Sequence, residues 1–160
     1  MLLNEPYSFH DVRYFVSRRF SPYDVGFCFV GEPRKQLLPA GTRLVRLDYQ
    51  EAPVWNVFTK VWWMGQEFFQ RLLRRAESAR DLRLQWQHGQ AMPKSSGVRT
   101  LIIEIELTQP VYAWVGLASP LFHKSGGLEQ VYLPNLSHDS PGFNRSRYAR
   151  LRRTYTLPAL

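Results

Sequence analysis

Hydrophobic and polar positions alternate most regularly in residues 99–107, where Leu101, Ile103, Ile105 and Leu107 fall on one side and Thr100, Ile102, Glu104 and Glu106 on the other. A period of two belongs to a strand with one buried face, so this segment is predicted as a strand whose two glutamates look into solvent. The pattern recurs after the Pro39-Ala40-Gly41 turn: Leu44 and Arg46 share one face, Val45 and Leu47 the other. Residues 111–115 and 129–133 read as two further strands, the second entered from the Gly126-Gly127 pair. In that last strand Glu129, Val131 and Leu133 point towards the core, while Gln130 and Tyr132 share the opposite face.

Between residues 54 and 79 the period lengthens, with Val57, Val61, Met64, Phe68 and Leu72 at steps of four and three. Gly65 argues against one unbroken helix, so residues 58–63 are expected to be extended and the helix to run from near Met64 to Arg80. A short N-terminal helix is predicted after Ser8, which has Asp11 three positions on and then Val12, Phe15 and Val16 at helical spacing. Extended segments are expected at residues 26–30 and 82–86, followed by a polar loop over 87–97. Beyond Pro134 periodicity is lost, and residues 144–155 carry Arg145, Arg147, Arg150, Arg152 and Arg153 between Tyr148 and Tyr155.

Composition narrows the class. A chain of 160 residues that is 44% hydrophobic and 14% aromatic is of a size to bury one core and expected to fold as one domain. No apolar run is long enough to span a bilayer, and the N-terminus lacks the basic-then-apolar pattern of a cleaved signal. Cys28 is the single cysteine, so an internal disulfide is excluded and the residue reads as a small hydrophobe. A formal net charge of +8 suits a phosphate-bearing or acidic partner: nucleic acid, a nucleotide or a protein. The basic tail is a candidate grip for RNA or DNA, or an arm lying on the domain or on an acidic partner.

Several reaction classes lose their support. There is no Gly-rich phosphate loop, dinucleotide fingerprint, nucleophile elbow or His-Glu-x-x-His. His10, His88, His123 and His138 lack ligand spacing, so no metal site is expected. Two places remain where chemistry is concentrated. Arg46 either pairs with Asp48 or Glu51, or anchors a phosphate through paired charge-assisted hydrogen bonds. The turn into Glu129 and Gln130 sets a carboxylate and an amide side by side, of which only one can enter a given pocket.

Residues 38–46 (Leu-Pro-Ala-Gly-Thr-Arg-Leu-Val-Arg), 111–118 (Val-Tyr-Ala-Trp-Val-Gly-Leu-Ala) and 126–131 (Gly-Gly-Leu-Glu-Gln-Val), in that order, resemble the motifs of bacterial ADP-ribosyltransferase-like toxin domains of the NAD glycohydrolase branch. The resemblance spans roughly residues 38–134 and implies an α+β fold in which two facing, mostly antiparallel sheets with flanking helices hold NAD, or NADP, in a cleft between them. It makes residues 38–136 the NAD-binding core, 1–37 an accessory helix and loops, and 137–160 a basic C-terminal arm. It also implies Gln130 and Glu129 as catalytic candidates. Arg46, Arg43, Phe58, Thr59, Trp62, Trp63, Trp114 and His123 would be the residues that hold the dinucleotide, with no metal. An activity of this kind implies a toxin or effector of bacterial competition that acts in the cytoplasm or is delivered into a target cell without a signal peptide. A neutralising immunity protein would accompany it.

The chemistry fits the residue types. Breaking the nicotinamide–ribose bond builds positive charge on the sugar, and the departing ring is a cation before it leaves, so no general acid is needed. With Gln130 at the cleft, water is the expected acceptor and the reaction is NAD hydrolysis. With Glu129 there instead, a carboxylate could activate a protein or nucleic-acid acceptor, and mono-ADP-ribosyl transfer is expected. A non-enzymatic basic protein that binds nucleic acid or another chain is the third reading.

Overall fold

A computed structural model describes residues 1–13, 24–49, 54–90, 99–121, 124–137 and 145–157, with backbone alone for 54–56. Its elements are α1 (Phe9–Val12), β1 (Arg34–Leu38), β2 (Arg43–Tyr49), β3 (Trp62–Gly65), α2 (Gln66–Arg75), α3 (Ala79–Gly89), β4 (Arg99–Leu107), β5 (Val111–Leu117), β6 (Glu129–Tyr132) and β7 (Ala149–Thr156). The strands form a seven-stranded sheet in the order β1-β5-β6-β3-β2-β4-β7. Every pairing in it is antiparallel.

The sheet hinges on β3. Its first two residues, Trp62 and Trp63, pair with Tyr132 and Val131 of β6, whereas Met64 and Gly65 pair with Val45 and Leu44 of β2. The four-residue strand thus hands the sheet from one half to the other. Side chains of both halves meet in one apolar cluster: Leu38, Val111, Val115, Val131 and Leu133 from one, Leu44, Ile103, Ile105 and Ala149 from the other, with Trp63 from β3 itself. The two halves therefore face each other across a shared core, and α+β is the class.

The back of each half is covered separately. Val45, Leu47, Met64 and Ile102 pack against Phe69, Leu72, Leu82 and Trp86 of α2 and α3. Trp114 and Tyr132 pack against Phe9, Val12, Val25 and Phe29 from the N-terminal part. There the Tyr132 hydroxyl donates to the Val12 carbonyl (2.9 Å), and buried Asn4 donates to the carbonyls of Tyr112 (2.9 Å) and Pro134 (3.0 Å). Residues 1–13 thus strap β5 and the end of β6.

Several elements differ from the periodic reading. Residues 82–86 lie in α3, not in a strand, because the Ser78 hydroxyl caps the Asp81 N–H (3.0 Å) and Leu82 and Trp86 then fall four apart on one helical face. The helix expected to run to Arg80 stops at Arg75. Residues 25–28 form a 3-10 turn instead of extended chain. Of the N-terminal helix, α1 is capped by Ser8 as predicted; Phe15 and Val16 lie outside the described residues. Two strands escaped the pattern altogether, β1 and β7, and they are the two edges of the sheet. The basic tail is β7: Arg153 lies opposite Glu104 and Arg150 opposite Glu106. Glu104 is consequently not a solvent-facing residue; it is buried, with Oε2 accepting from Arg153 Nε at 2.6 Å.

Candidate active site

Glu129 owes its position to the turn before it. Gly126 and Gly127 have φ of 66° and 93°, and a Cβ on Gly126 would lie 2.5 Å from the Ala118 carbonyl oxygen, so the turn admits no side chain there. The turn is pinned from both sides. Gly126 N–H donates to the His88 carbonyl (2.9 Å) and Leu128 N–H to the Gly89 carbonyl (2.9 Å), both at the C-terminal end of α3, while Gly127 N–H donates to the Ala118 carbonyl (2.8 Å) after β5. The Gln90 amide then donates to the Glu129 carbonyl (3.1 Å). These bonds fix the backbone at the mouth of β6, and among the described residues the carboxylate makes no hydrogen bond.

That carboxylate leans over the end of β3. Its Oε1 lies 3.5 Å from where a Cβ on Gly65 would stand, which places the carboxylate directly beside the end of that strand. Glu129 is half-buried, and burial pushes its pKa above the ordinary carboxylate value. Arg34 of β1 and Arg71 of α2 pull the other way, and Glu67 adds to the rise. Arg34 donates to the Gln36 side chain (2.9 Å), and neither arginine is in an ion pair with a described carboxylate. A half-buried carboxylate at the mouth of a strand that holds its proton more tightly than usual has the features of an acid–base or charge-stabilising group.

Arg46 sits at the opposite end of β3 and is used differently. Its Nε donates to Asp48 Oδ2 (2.9 Å), its Nη1 to the Trp62 carbonyl (3.1 Å), and its guanidinium lies 5.8 Å from the centre of the Trp63 ring. The two side chains are 14% and 4% exposed. Burial lowers the Arg46 pKa and Asp48 opposes that; burial likewise resists ionisation of Asp48, but Arg46 and the Tyr49 N–H outweigh it and hold the carboxyl below its usual value. Of the two roles open to Arg46 in the sequence, the structure shows the pairing with Asp48. The bond to the Trp62 carbonyl closes the gap that opens where β2 leaves β3.

Arg46 and Gln130 do not converge. Arg46 shares a face with Leu44, in the core between the halves, whereas Gln130 shares a face with Tyr132, under the N-terminal part. The Gln130 amide is 4% exposed and donates to the Cys28 carbonyl. Glu129 is the one of the two neighbours that lies on the inner face with Val131. Trp63 lies beside Arg46 and is buried with Phe58 in the shared core, whereas the Trp62 ring packs on Phe29 and Tyr132 in the N-terminal cluster and only its carbonyl meets Arg46; exposed Thr59 follows Phe58 in the chain. Trp114 is buried in the N-terminal aromatic cluster, and Arg43 lies on the helix-covered face 4.0 Å from Glu106. His123 lies outside the described residues. The Cys28 thiol is pushed up to about 11, by burial first and Asp24 second, so it is no thiolate nucleophile at neutral pH. Among the described residues no three His, Cys, Asp or Glu side chains are grouped to hold a metal.

The two arginines facing Glu129 carried little signal in the sequence. Arg34 opens an edge strand with no clean alternation, and Arg71 is one of several arginines on an amphipathic helix.

No family model and no curated protein matches the sequence. Among solved structures, the chain is similar to Rhs1-CT in complex with its cognate immunity protein RhsI1, with a TM-score of 0.52 and 14% identity, covering 79% of this chain and 82% of that one. It is also similar to Tne2 in complex with Tni2, with a TM-score of 0.54 and 12% identity over 81% and 95% of the two chains. At these identities the likeness is one of fold.

Proposed function

We propose that the chain is an NAD-consuming toxin or effector domain that cleaves the nicotinamide–ribose bond, with Glu129 at the reacting sugar and water as the acceptor. The observation that carries this is a half-buried carboxylate on the inner face of the sheet, held at the mouth of β6 by the pinned glycine turn and within the electrostatic reach of Arg34 and Arg71. The C1′–nitrogen bond breaks with its electron pair passing to the pyridinium ring, which departs neutral. The ionised Glu129 stabilises the positive charge left on the ribose and takes a proton from the incoming water as the new C1′–oxygen bond forms. Arg71 and Arg34 hold the pyrophosphate in this reading, which fixes the sugar against the carboxylate. The motif order from residue 38 to 134 supports the substrate. The fold shared with Rhs1-CT, a protein solved with a cognate immunity protein, supports a toxin and a neutralising partner.

The parity of β6 favours a second reading, ADP-ribosyl transfer, because a carboxylate on the inner face can also deprotonate a macromolecular acceptor. Incubating the purified chain with NAD and separating the products decides both. Free nicotinamide and ADP-ribose in equal amounts are expected. Label from NAD retained on a protein or nucleic acid of a lysate would favour transfer, and no nicotinamide release at high protein concentration would exclude either reaction.

A further inference from the structure

The reaction as derived leaves two cations at the C-terminal end of α2, Arg74 and Arg75, without a role. Arg71, Arg74 and Arg75 line, with Phe68, Met64 and the Gly127-Leu128 turn, a pocket of about 380 Å³. They fall three and four positions apart, so they share one side of the helix and repel one another. None is in an ion pair with a described residue, and the Arg71 guanidinium lies 4.3 Å from the centre of the Phe68 ring, giving a flat aromatic surface backed by charge. The helix dipole favours cations at this end but does not require them to line a pocket. The pocket adjoins the proposed reaction site, since the Gly127-Leu128 turn that lines it leads directly into Glu129 and Arg71 acts electrostatically on that carboxylate. From Glu67, which also faces Glu129, to Arg75 the helix rises about 12 Å.

A pyrophosphate carries one negative charge on each phosphate, which Arg71 and Arg34 would answer. Arg74 and Arg75 then remain for a further anion, about one helical turn beyond Arg71. We infer that this pocket takes the 2′-phosphate on the adenosine side of the substrate, which makes the chain selective for NADP over NAD; this rests on the reading of Glu129 given above. The Phe68 ring with Arg71 stacked on it supplies the wall for the adenine ring, and Arg74 and Arg75 bind the phosphate monoester, a dianion near neutral pH, through charge-assisted hydrogen bonds.

The test has two arms, both on the full chain. In the first, adenosine 2′,5′-bisphosphate and adenosine 5′-monophosphate are titrated by calorimetry. The bisphosphate is expected to bind at least about tenfold more tightly, and Arg74→Gln/Arg75→Gln to bring the two within about threefold while the circular dichroism spectrum is kept. Equal affinities in the unaltered chain, or a preference that survives the double substitution, overturn the pocket. In the second arm, the ratio of kcat/KM for NADP over NAD is expected to exceed about ten and to fall towards one in the same variant. Preferential binding of the bisphosphate with no turnover of either dinucleotide keeps the pocket and removes the reaction. Turnover with a ratio of one keeps the reaction and removes the pocket.

Discussion

β3 is four residues long, and its two ends treat charge in opposite ways. At the Trp62 end a gap opens between β2 and β3, and Arg46 closes it by bonding Asp48 on its own strand and the Trp62 carbonyl across the gap. Both charges are buried and answered by each other, so nothing is left over for a ligand. At the Gly65 end β6 separates from β3, and Glu129 occupies the space beside a residue without a side chain. Among the described residues its charge is not answered by a hydrogen bond to an arginine, and Arg34 and Arg71 are in no ion pair with a carboxylate. The comparison separates a charge used for architecture from one available for chemistry. The strongest ion pair in a fold is a poor place to look for a reacting group, because satisfying it internally is what allowed its burial.

The comparison breaks most readily at Glu129. Glu129→Gln is expected to lower NAD turnover by about two to three orders of magnitude, read as nicotinamide release. Stability should not fall. Because the folded-state pKa of Glu129 is raised, ionising it costs stability at pH above that raised value, and the cost vanishes below the ordinary carboxylate value; the amide removes it at neutral pH. A variant that melts well below the unaltered chain would make Glu129 structural. The pH profile sharpens the same point: turnover should drop with falling pH at a midpoint above the ordinary glutamate value of about 4.3, since the ionised form is the active one. A midpoint at or below that value would separate the activity from Glu129.

At the other end the effect should appear in stability. Arg46→Met leaves Asp48 buried without its cation and is expected to cost about 3 kcal/mol in urea unfolding. Asp48 has a lowered folded-state pKa, so its contribution is present above the ordinary aspartate value and lost as pH falls through the lowered one; the variant should lack this part of the acid sensitivity. Loss of turnover with unfolding unchanged would instead place Arg46 at the substrate. The smallest effect is expected at Gln130, whose amide holds the Cys28 carbonyl. Gln130→Ala should cost about 1 kcal/mol of stability and leave nicotinamide release within a few fold. Abolished turnover in a folded Gln130→Ala protein would move the reaction to the N-terminal face of β6 and reverse the assignment of the two ends.

How far the site was legible follows the same division. The alternation along residues 129–133 already put Glu129 with Val131 and Gln130 with Tyr132, and the packing of Val131 and Tyr132 in different clusters follows it. What the alternation left open was which face borders a site, because that depends on the N-terminal segment laid over Tyr132 and on the α3 end that pins the glycine turn. Arg34 and Arg71 were invisible as partners of Glu129, since they come from β1 and α2, about 95 and 58 residues away in the chain.

The residues alone determined β2, β4, β5 and β6, the capped start of α1 and the turn that only glycine can make. These rest on local rules: side-chain period, a hydroxyl at an N-cap, a backbone at positive φ. Tertiary structure decided that the acidic strand and the basic tail are partners, that an arginine among apolar neighbours is neutralised by Asp48, and that β1 and β7 exist as edges. An edge strand pairs on one side only and can carry charge at most of its positions, so its pattern is that of a loop until the strand it pairs with is in place. The role of a charge, likewise, is set by what stands within a few ångströms of it, and in this chain those neighbours arrive from distant elements.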